Sequence, residues 1–240
     1  MEKIIGINPA VEVLQNMDKT IEKLEIYKGA RDEKINQIKK LASKRNIKIF
    51  YTDKKRENSQ GVVVHVSDYD YYVDFGAFLE KIAPMEKALV LILDEVQDPR
   101  NFGALIRSAE VFGVKGIIIP ERNAVRINET VVKTSTGAIE YVDIIKVTNI
   151  SEAIKRLKTL DFWVYGAEGE DGAHDYSKEK YPNKTALVLG SEGNGMRKKV
   201  KESCDVLIKI PMYGKINSLN VSVAGGIILS EIVKSFKRGE

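Results

Sequence analysis

Four short runs between residues 88 and 210 are apolar almost throughout: Ala88-Leu-Val-Leu-Ile-Leu93, Gly116-Ile-Ile-Ile119, Thr185-Ala-Leu-Val-Leu189 and Val206-Leu-Ile-Lys-Ile210. A strand with one wet face alternates apolar and polar residues. An uninterrupted apolar run predicts a strand buried on both faces. Helical spacing fills the intervals. Phe102, Leu105, Ile106 and Ala109 recur at helical period over 101–112, and 151–160 and 219–236 also read as helices. A further strand falls at 161–165. This alternation predicts an α/β unit built on a parallel sheet with helices on both faces.

The first quarter of the chain has a different character. Asn8-Pro9 offers an N-cap and a proline at the first helical position, so a short helix through Leu14 is expected. Strands are expected at 21–27, 47–51 and 61–66. A helix is expected over 31–44, with Ile35, Ile38, Leu41 and Ala42 as its buried stripe. These elements make a small α/β domain over 1–67. The tyrosine- and aspartate-rich stretch that follows reads as a linker with a short helix over 68–83, and 84–240 forms the larger domain.

Composition narrows the setting. A chain of 240 residues with 43% hydrophobic content can bury a sizeable core. Its one cysteine, Cys204, excludes an internal disulfide and a cysteine-rich metal site, so a reducing, cytoplasmic setting is expected. The two histidines, His65 and His174, have no metal-ligand spacing, and no metal is expected. The start lacks the apolar stretch of a signal peptide, and no run reaches the ~18 apolar residues of a membrane span. The net charge of +4 permits a polyanionic partner without requiring one.

Three segments join apolar runs to polar or glycine-rich residues. They are Asn101-Phe-Gly-Ala-Leu-Ile-Arg107-Ser-Ala, Leu189-Gly190-Ser-Glu192-Gly-Asn-Gly195-Met, and Ile210-Pro-Met through Ser218-Leu-Asn220-Val-Ser222. Each sits where a strand ends, and in parallel sheets ligands bind beyond the carboxyl ends of strands. The glycines of the second segment let backbone approach a ligand closely. Their spacing is not that of a dinucleotide fingerprint, and no phosphate loop is present, which disfavours a nicotinamide enzyme. Each segment also has a plainer reading. Arg107 lies off its helix's apolar stripe, as a surface arginine does. Ser218 and Asn220 suit a helix cap, and Glu192 suits a solvated turn.

Together the three segments resemble, in order, the signature motifs of the SpoU (TrmH-like) RNA 2′-O-ribose methyltransferases. The resemblance covers residues 88–237. The first domain is similar to that family's substrate-binding domain, which is like ribosomal protein L30e, beginning at Gly6-Ile-Asn-Pro-Ala-Val-Glu. The pair looks most like the enzymes that methylate a guanosine of 23S ribosomal RNA. The resemblance implies a deep trefoil knot in the C-terminal α/β domain, a homodimer through that domain, and S-adenosylmethionine as cofactor. It assigns cofactor binding to Gly190, Ile210 and Leu219, with Thr136 nearby. Arg107, Asn101, Glu192, Ser218 and Asn220 would form the catalytic set.

RNA would be met by basic side chains: Lys28, Arg31, Lys54, Lys55 and Arg56 on the first domain, and Arg100, Arg122, Arg126, Lys133 and Arg197 on the second. The chain departs from close relatives at Ser59-Gln60-Gly61, where His-Gln-Gly is usual, and in the short connection before it. The RNA selected therefore stays open. A tRNA substrate, an antibiotic-resistance methylation of ribosomal RNA, and a non-catalytic RNA-binding or ribosome-assembly role are the alternatives.

Overall fold

The computed structural model of the chain describes all residues except 1, 17–18, 31–32, 55–58, 67–70, 171, 192, 217 and 239–240. Its two sheets belong to two compact units, Met1–Asp70 with Arg126–Glu129, and Tyr71–Val125 with Thr130–Glu240.

In the first unit β1 (Glu2–Ile5), α1 (Ile7–Gln15), β2 (Ile21–Tyr27), α2 (Glu33–Lys44), β3 (Ile49–Thr52) and β4 (Val62–Val66) follow one another. The sheet order is β1-β4-β2-β3, with β4 antiparallel to both neighbours and β2 parallel to β3. Leu24, Ile26, Val62 and Val64 point to one face. There they pack with Ile7, Ala10 and Leu14 of α1 and with Ile35, Ile38 and Ala42 of α2. Leu41, expected in the buried stripe, is only partly covered.

The start of α1 corrects the expectation of an Asn8 cap. Gly6 occupies the cap position at φ 106, a conformation that disfavours side chains, and it supplies no capping group. The Ile7 amide instead donates to Oε1 of Gln60, at 3.1 Å. Asn8 lies inside the helix, where its Oδ1 accepts a bond from Lys34. The other end of α1 is met by Arg45, whose guanidinium donates to the carbonyls of Val13, Leu14 and Asn16. Both caps come from residues more than 25 positions away, beyond the reach of a local pattern.

The remaining elements are β5 (Tyr72–Val73), α3 (Phe75–Ile82), β6 (Ala88–Leu93), α4 (Pro99–Val111), β7 (Gly116–Pro120), α5 (Glu129–Ser135), β8 (Asp143–Val147), α6 (Ile150–Lys158), β9 (Trp163–Ala167), β10 (His174–Asp175), β11 (Lys184–Leu189), α7 (Lys198–Ser203), β12 (Val206–Lys209) and α8 (Val221–Arg238). The eight strands pair in the order β10-β12-β9-β11-β6-β7-β8-β5, parallel at every junction. Ala88, Val90 and Ile92 of β6 join a core with Phe78 and Ile82 of α3 and with Ile154 and Leu157 of α6. Leu89, Leu91 and Leu93 are buried on the opposite face, where α4 and α8 pack together.

The short helix expected within 68–83 is present, but the residues just before it are not a free linker. Tyr72 and Val73 pair with Ile144 and Ile145 as the edge of the large sheet. The short helix that follows is capped by Asp74, which accepts from the Ala77 amide at 2.9 Å, and it buries Phe78 and Ile82 completely. The chain from β6 continues to β7 on one side, while β11 lies on the other. Connections leaving two adjacent strands in opposite directions open a crevice at their carboxyl ends.

Candidate active site

That crevice is framed by residues after β6 and β11. Pro99 is the first residue of α4, where a missing amide costs nothing. The side chain of Asp98 caps the helix by accepting from the amides of Arg100 and Asn101, at 2.9 and 2.8 Å. Asn101 is thereby fixed in the first turn. Its Oδ1 accepts a 2.9 Å bond from Nδ2 of Asn220, which is 119 residues away in sequence. Asn220 in turn caps α8. Its carbonyl accepts from the Ala224 amide, and its Oδ1 accepts from the amide and hydroxyl of Ser222. Two residues of the expected catalytic set therefore meet at the starts of two packed helices. The capping reading of Asn220 holds, and its side chain also bonds to Asn101, a contact the sequence does not foretell.

Arg107 lies further along α4, exposed, on the side away from the buried Leu105 and Ile106. It forms no ion pair with any described residue. Ser218 is exposed, two residues before Asn220. Glu192 lies outside the described residues.

The turn after β11 is closed on itself. Ser191 and Gly195 exchange backbone bonds of 3.0 and 3.1 Å. At Gly190 this brings the two arms of the turn so close that a Cβ would stand 2.2 Å from the carbonyl carbon of Gly195. No residue but glycine fits there without moving the backbone. Ile210 leaves β12 half-buried, and Leu219 is 39% exposed beside Asn220. Thr136 stands in the left-handed region at φ 50, in the turn that follows α5. The neighbouring Thr134 fills the space beside Gly103 of α4, so this turn is tied to the helix that carries Asn101 and Arg107.

One residue of the site escaped the sequence reading. Asp94 directly follows the apolar run of β6 and is fully buried. Its amide donates to the Leu189 carbonyl, and its carboxylate accepts from the backbone amide and Nε of Arg197, each at 2.8 Å. A second guanidinium nitrogen lies 2.6 Å from the same carboxylate, and Glu95 stands 3.7 Å from the third. Bonding to Asp94 raises the Arg197 pKa above even its ordinary value. Asp94 thus staples the end of the 190–197 turn to β6. A carboxylate placed immediately after a doubly buried strand was the available signal. Arg197, expected to meet RNA, spends its guanidinium on this staple.

Of the other basic candidates, Lys28 is paired with Asp53 at 2.9 Å, while Lys54 and Arg100 are exposed. Arg31, Lys55 and Arg56 lie outside the described residues. Among the described residues no three ligating side chains gather where a metal could be held, and no helix is long and apolar enough to cross a membrane.

Comparison with known proteins places this geometry. Residues 88–230 match the SpoU rRNA Methylase family, and residues 3–72 match the RNA 2′-O ribose methyltransferase substrate binding domain. A Staphylococcus aureus (strain COL) protein assigned to the TrmH family of tRNA/rRNA methyltransferases is 41% identical over 221 residues, covering 89% of this chain and 88% of the relative. A Bacillus subtilis (strain 168) protein with the same assignment is 38% identical over 237 residues, covering 96% and 94%.

Among solved structures, the SpoU methyltransferase AviRb from Streptomyces viridochromogenes aligns with a TM-score of 0.64 at 23% identity, over 99% of this chain and 90% of that one. It has also been solved with AdoMet. The A. aeolicus TrmH/SpoU tRNA modifying enzyme aligns at 0.59 and 29% identity, over 69% and 83%. The fold is accordingly the trefoil-knotted α/β fold of the SpoU methyltransferases with a small N-terminal domain. A family match that spans more than half of the chain carries the conclusion that this protein belongs to the SpoU rRNA methylase family.

Proposed function

We propose that the chain transfers a methyl group from S-adenosylmethionine to a ribose 2′-hydroxyl of RNA, and that its target is a guanosine of 23S ribosomal RNA. The observation that carries this reading is the Asn220–Asn101 hydrogen bond. It joins the first and third motif segments at one point, on the helix that presents Arg107.

The residues around that point suit the donor. Met212, Ile216 and Leu219 expose apolar side chains, and the backbone groups of 212–216 bond to none of the described residues. An adenosyl group needs such an apolar slot with free backbone edges. Gly190 adds no side chain to the approach. When bound, S-adenosylmethionine supplies a methyl group already activated on a sulfonium.

The 2′-oxygen would gain a bond to the methyl carbon as the carbon–sulfur bond breaks, with S-adenosylhomocysteine as the leaving group and the hydroxyl proton passing to solvent water, so negative charge develops on the oxygen. Arg107 answers that charge. A guanidinium keeps its proton in proteins, so it acts as an electrostatic stabiliser and not as a base. Its fork also grips the phosphate beside the target ribose. Asn101, held by Asn220, and Ser218 orient the ribose, and Glu192 orients Arg107. Ile210, Leu219 and Thr136 border the cofactor.

The same reading makes the protein a homodimer through the second unit. The exposed apolar side chains of Val111, Tyr141 and Val223 support this, and sedimentation of the full chain tests it.

The functional test is transfer of radiolabelled methyl to unmodified 23S RNA, small-subunit RNA and bulk tRNA in parallel. Alkali-resistant label in 23S RNA is expected, with at least a ~100-fold loss in Arg107→Ala. Label confined to tRNA would overturn the choice of substrate. No label in any RNA, from protein that binds the cofactor, would overturn the enzyme reading.

A further inference from the structure

The first sheet has a face that neither of its helices covers. Strand alternation puts Leu24, Ile26, Val62 and Val64 against α1 and α2. The intervening residues therefore share the opposite face. The register confirms the set: His65 lies opposite both Lys3 and Lys23, and Glu25 lies opposite both Val63 and Phe50.

Three features of this face stand together. First, Phe50 is 37% exposed, with the ammonium of Lys48 5.0 Å and that of Lys23 5.8 Å from its ring centre. Ile5, on the far strand of the same face, is 41% exposed. Second, the same face carries Lys3, Lys23 and Lys48, with Glu25 as the carboxylate among its described strand residues, 3.0 Å from the Lys23 ammonium. Third, His65 at the centre is 98% buried, since only 2% of it is exposed, yet its Nδ1 has no hydrogen-bond partner among the described residues. Its Nε2 is 3.0 Å from Glu25 but lacks the alignment a hydrogen bond requires. A buried polar atom left unpaired is costly, and a ligand group reaching the centre of the face would relieve that cost.

We propose that this open face seats a single-stranded segment of the substrate RNA, with a base stacked on Phe50 and the backbone held by Lys3, Lys23 and Lys48. Sheets that expose an aromatic ring among cations bind unpaired nucleotides in this way, whereas a duplex keeps its bases stacked inside. A base edge or ribose hydroxyl at the centre supplies the missing partner of His65. The proposal rests on RNA being the substrate. It assigns contact to a different surface from the edge that carries Lys28 and Asp53.

The test uses the full chain and a fluorescent single-stranded RNA of mixed sequence, about ten nucleotides long, followed by anisotropy. Phe50→Ala should weaken binding about 5- to 150-fold, the effect of losing one stacked base, while Phe50→Tyr should keep it. Lys23→Gln with Lys48→Gln should lower the salt slope by about 1.4, at ~0.7 per phosphate contact on a single strand. Unchanged melting curves would separate these losses from misfolding. In methyl transfer the Phe50→Ala defect should appear in KM for RNA and not in kcat.

Equal affinity of wild type and Phe50→Ala, absence of oligonucleotide binding, or equal competition by a duplex would each overturn the proposal. If Phe50→Ala is silent while Arg107→Ala abolishes methyl transfer, this face fails and the enzyme reading stands. If binding depends on Phe50 but no RNA is ever methylated, the face stands and the enzyme reading fails.

Discussion

The two sheets of this protein solve the same burial problem differently. The large sheet is covered on both faces, and every residue of its strands β6 and β7 is buried. The small sheet packs its helices on one face, and its other face carries lysines, Phe50 and Ile5 around a buried Val63 and His65. Double coverage concentrates polar chemistry at the ends of strands, because no face remains to carry it. Single coverage leaves a flat surface that can hold an extended partner. The large sheet therefore suits a pocket, and the small one suits a platform.

The largest expected effect tests double coverage. Phe78 lies in the short helix of a stretch whose sequence has weak periodicity, yet it is fully buried. Phe78→Ala should cost about 3–5 kcal/mol in chemical denaturation. A cost below about 1 kcal/mol would mean that α3 is a dispensable appendage and that one face of the sheet stands open.

Next comes the staple. Asp94→Asn keeps the shape of the side chain but gives up charged hydrogen bonds, at a cost of about 1.5–3 kcal/mol. Because the bonds hold the 190–197 turn, S-adenosylmethionine affinity measured by calorimetry should fall as well. A loss of stability with unchanged affinity would separate the staple from the pocket.

In the first unit, Gln60→Ala removes the acceptor at the start of α1. It should destabilise that unit by about 1 kcal/mol, read from amide exchange in β2 and β4. Exchange in β6 should not change if the two sheets are separate cores.

The smallest effect is on pH dependence. Burial lowers the pKa of His65 below its ordinary 6.5, and the nearby Lys23 and Lys3 also lower it, against the opposing pull of Glu25. The folded state thus favours the neutral ring. Above pH 6.5 its contribution to stability is complete. As pH falls below that value the unfolded chain binds a proton that the folded chain resists, and stability drops. The protection of β4 amides, taken relative to the intrinsic exchange rate at each pH, should therefore fall between about pH 7.5 and about pH 5.5, and less so in His65→Gln. An equal fall in both would assign the effect to other groups.

The sequence made some of this legible and hid the rest for physical reasons. The apolar run of β6 announces itself because burial on both faces removes every polar position. The Asp143-Ile-Ile-Lys-Val strand carries the same signal more weakly, since Asp143 and Lys146 are only partly buried, and it went unread. β5 is two residues long and has no pattern of its own. Pairing with β8 makes it a strand. The caps of α1 depend on Gln60 and Arg45, which no local window contains. At the site, the segments bearing Asn101 and Asn220 were visible as separate motifs, but their hydrogen bond depends on tertiary packing. Asp94 was passed over because a carboxylate after a strand looks like an ordinary turn residue until its partner is known.

The strand order has a consequence for how the chain reaches its native state. β11 is inserted between β6 and β9, pairing Lys184 with Ala88 and Thr185 with Trp163. The centre of the sheet therefore cannot close until residues made far apart have met, and the entropy of that closure is lost before any contact repays it. The strand that completes the crevice is also held by long-range pairing on one of its sides. Until it arrives, the apolar edges of β6 and β9 stand unpaired, open to aggregation and in need of protection during synthesis.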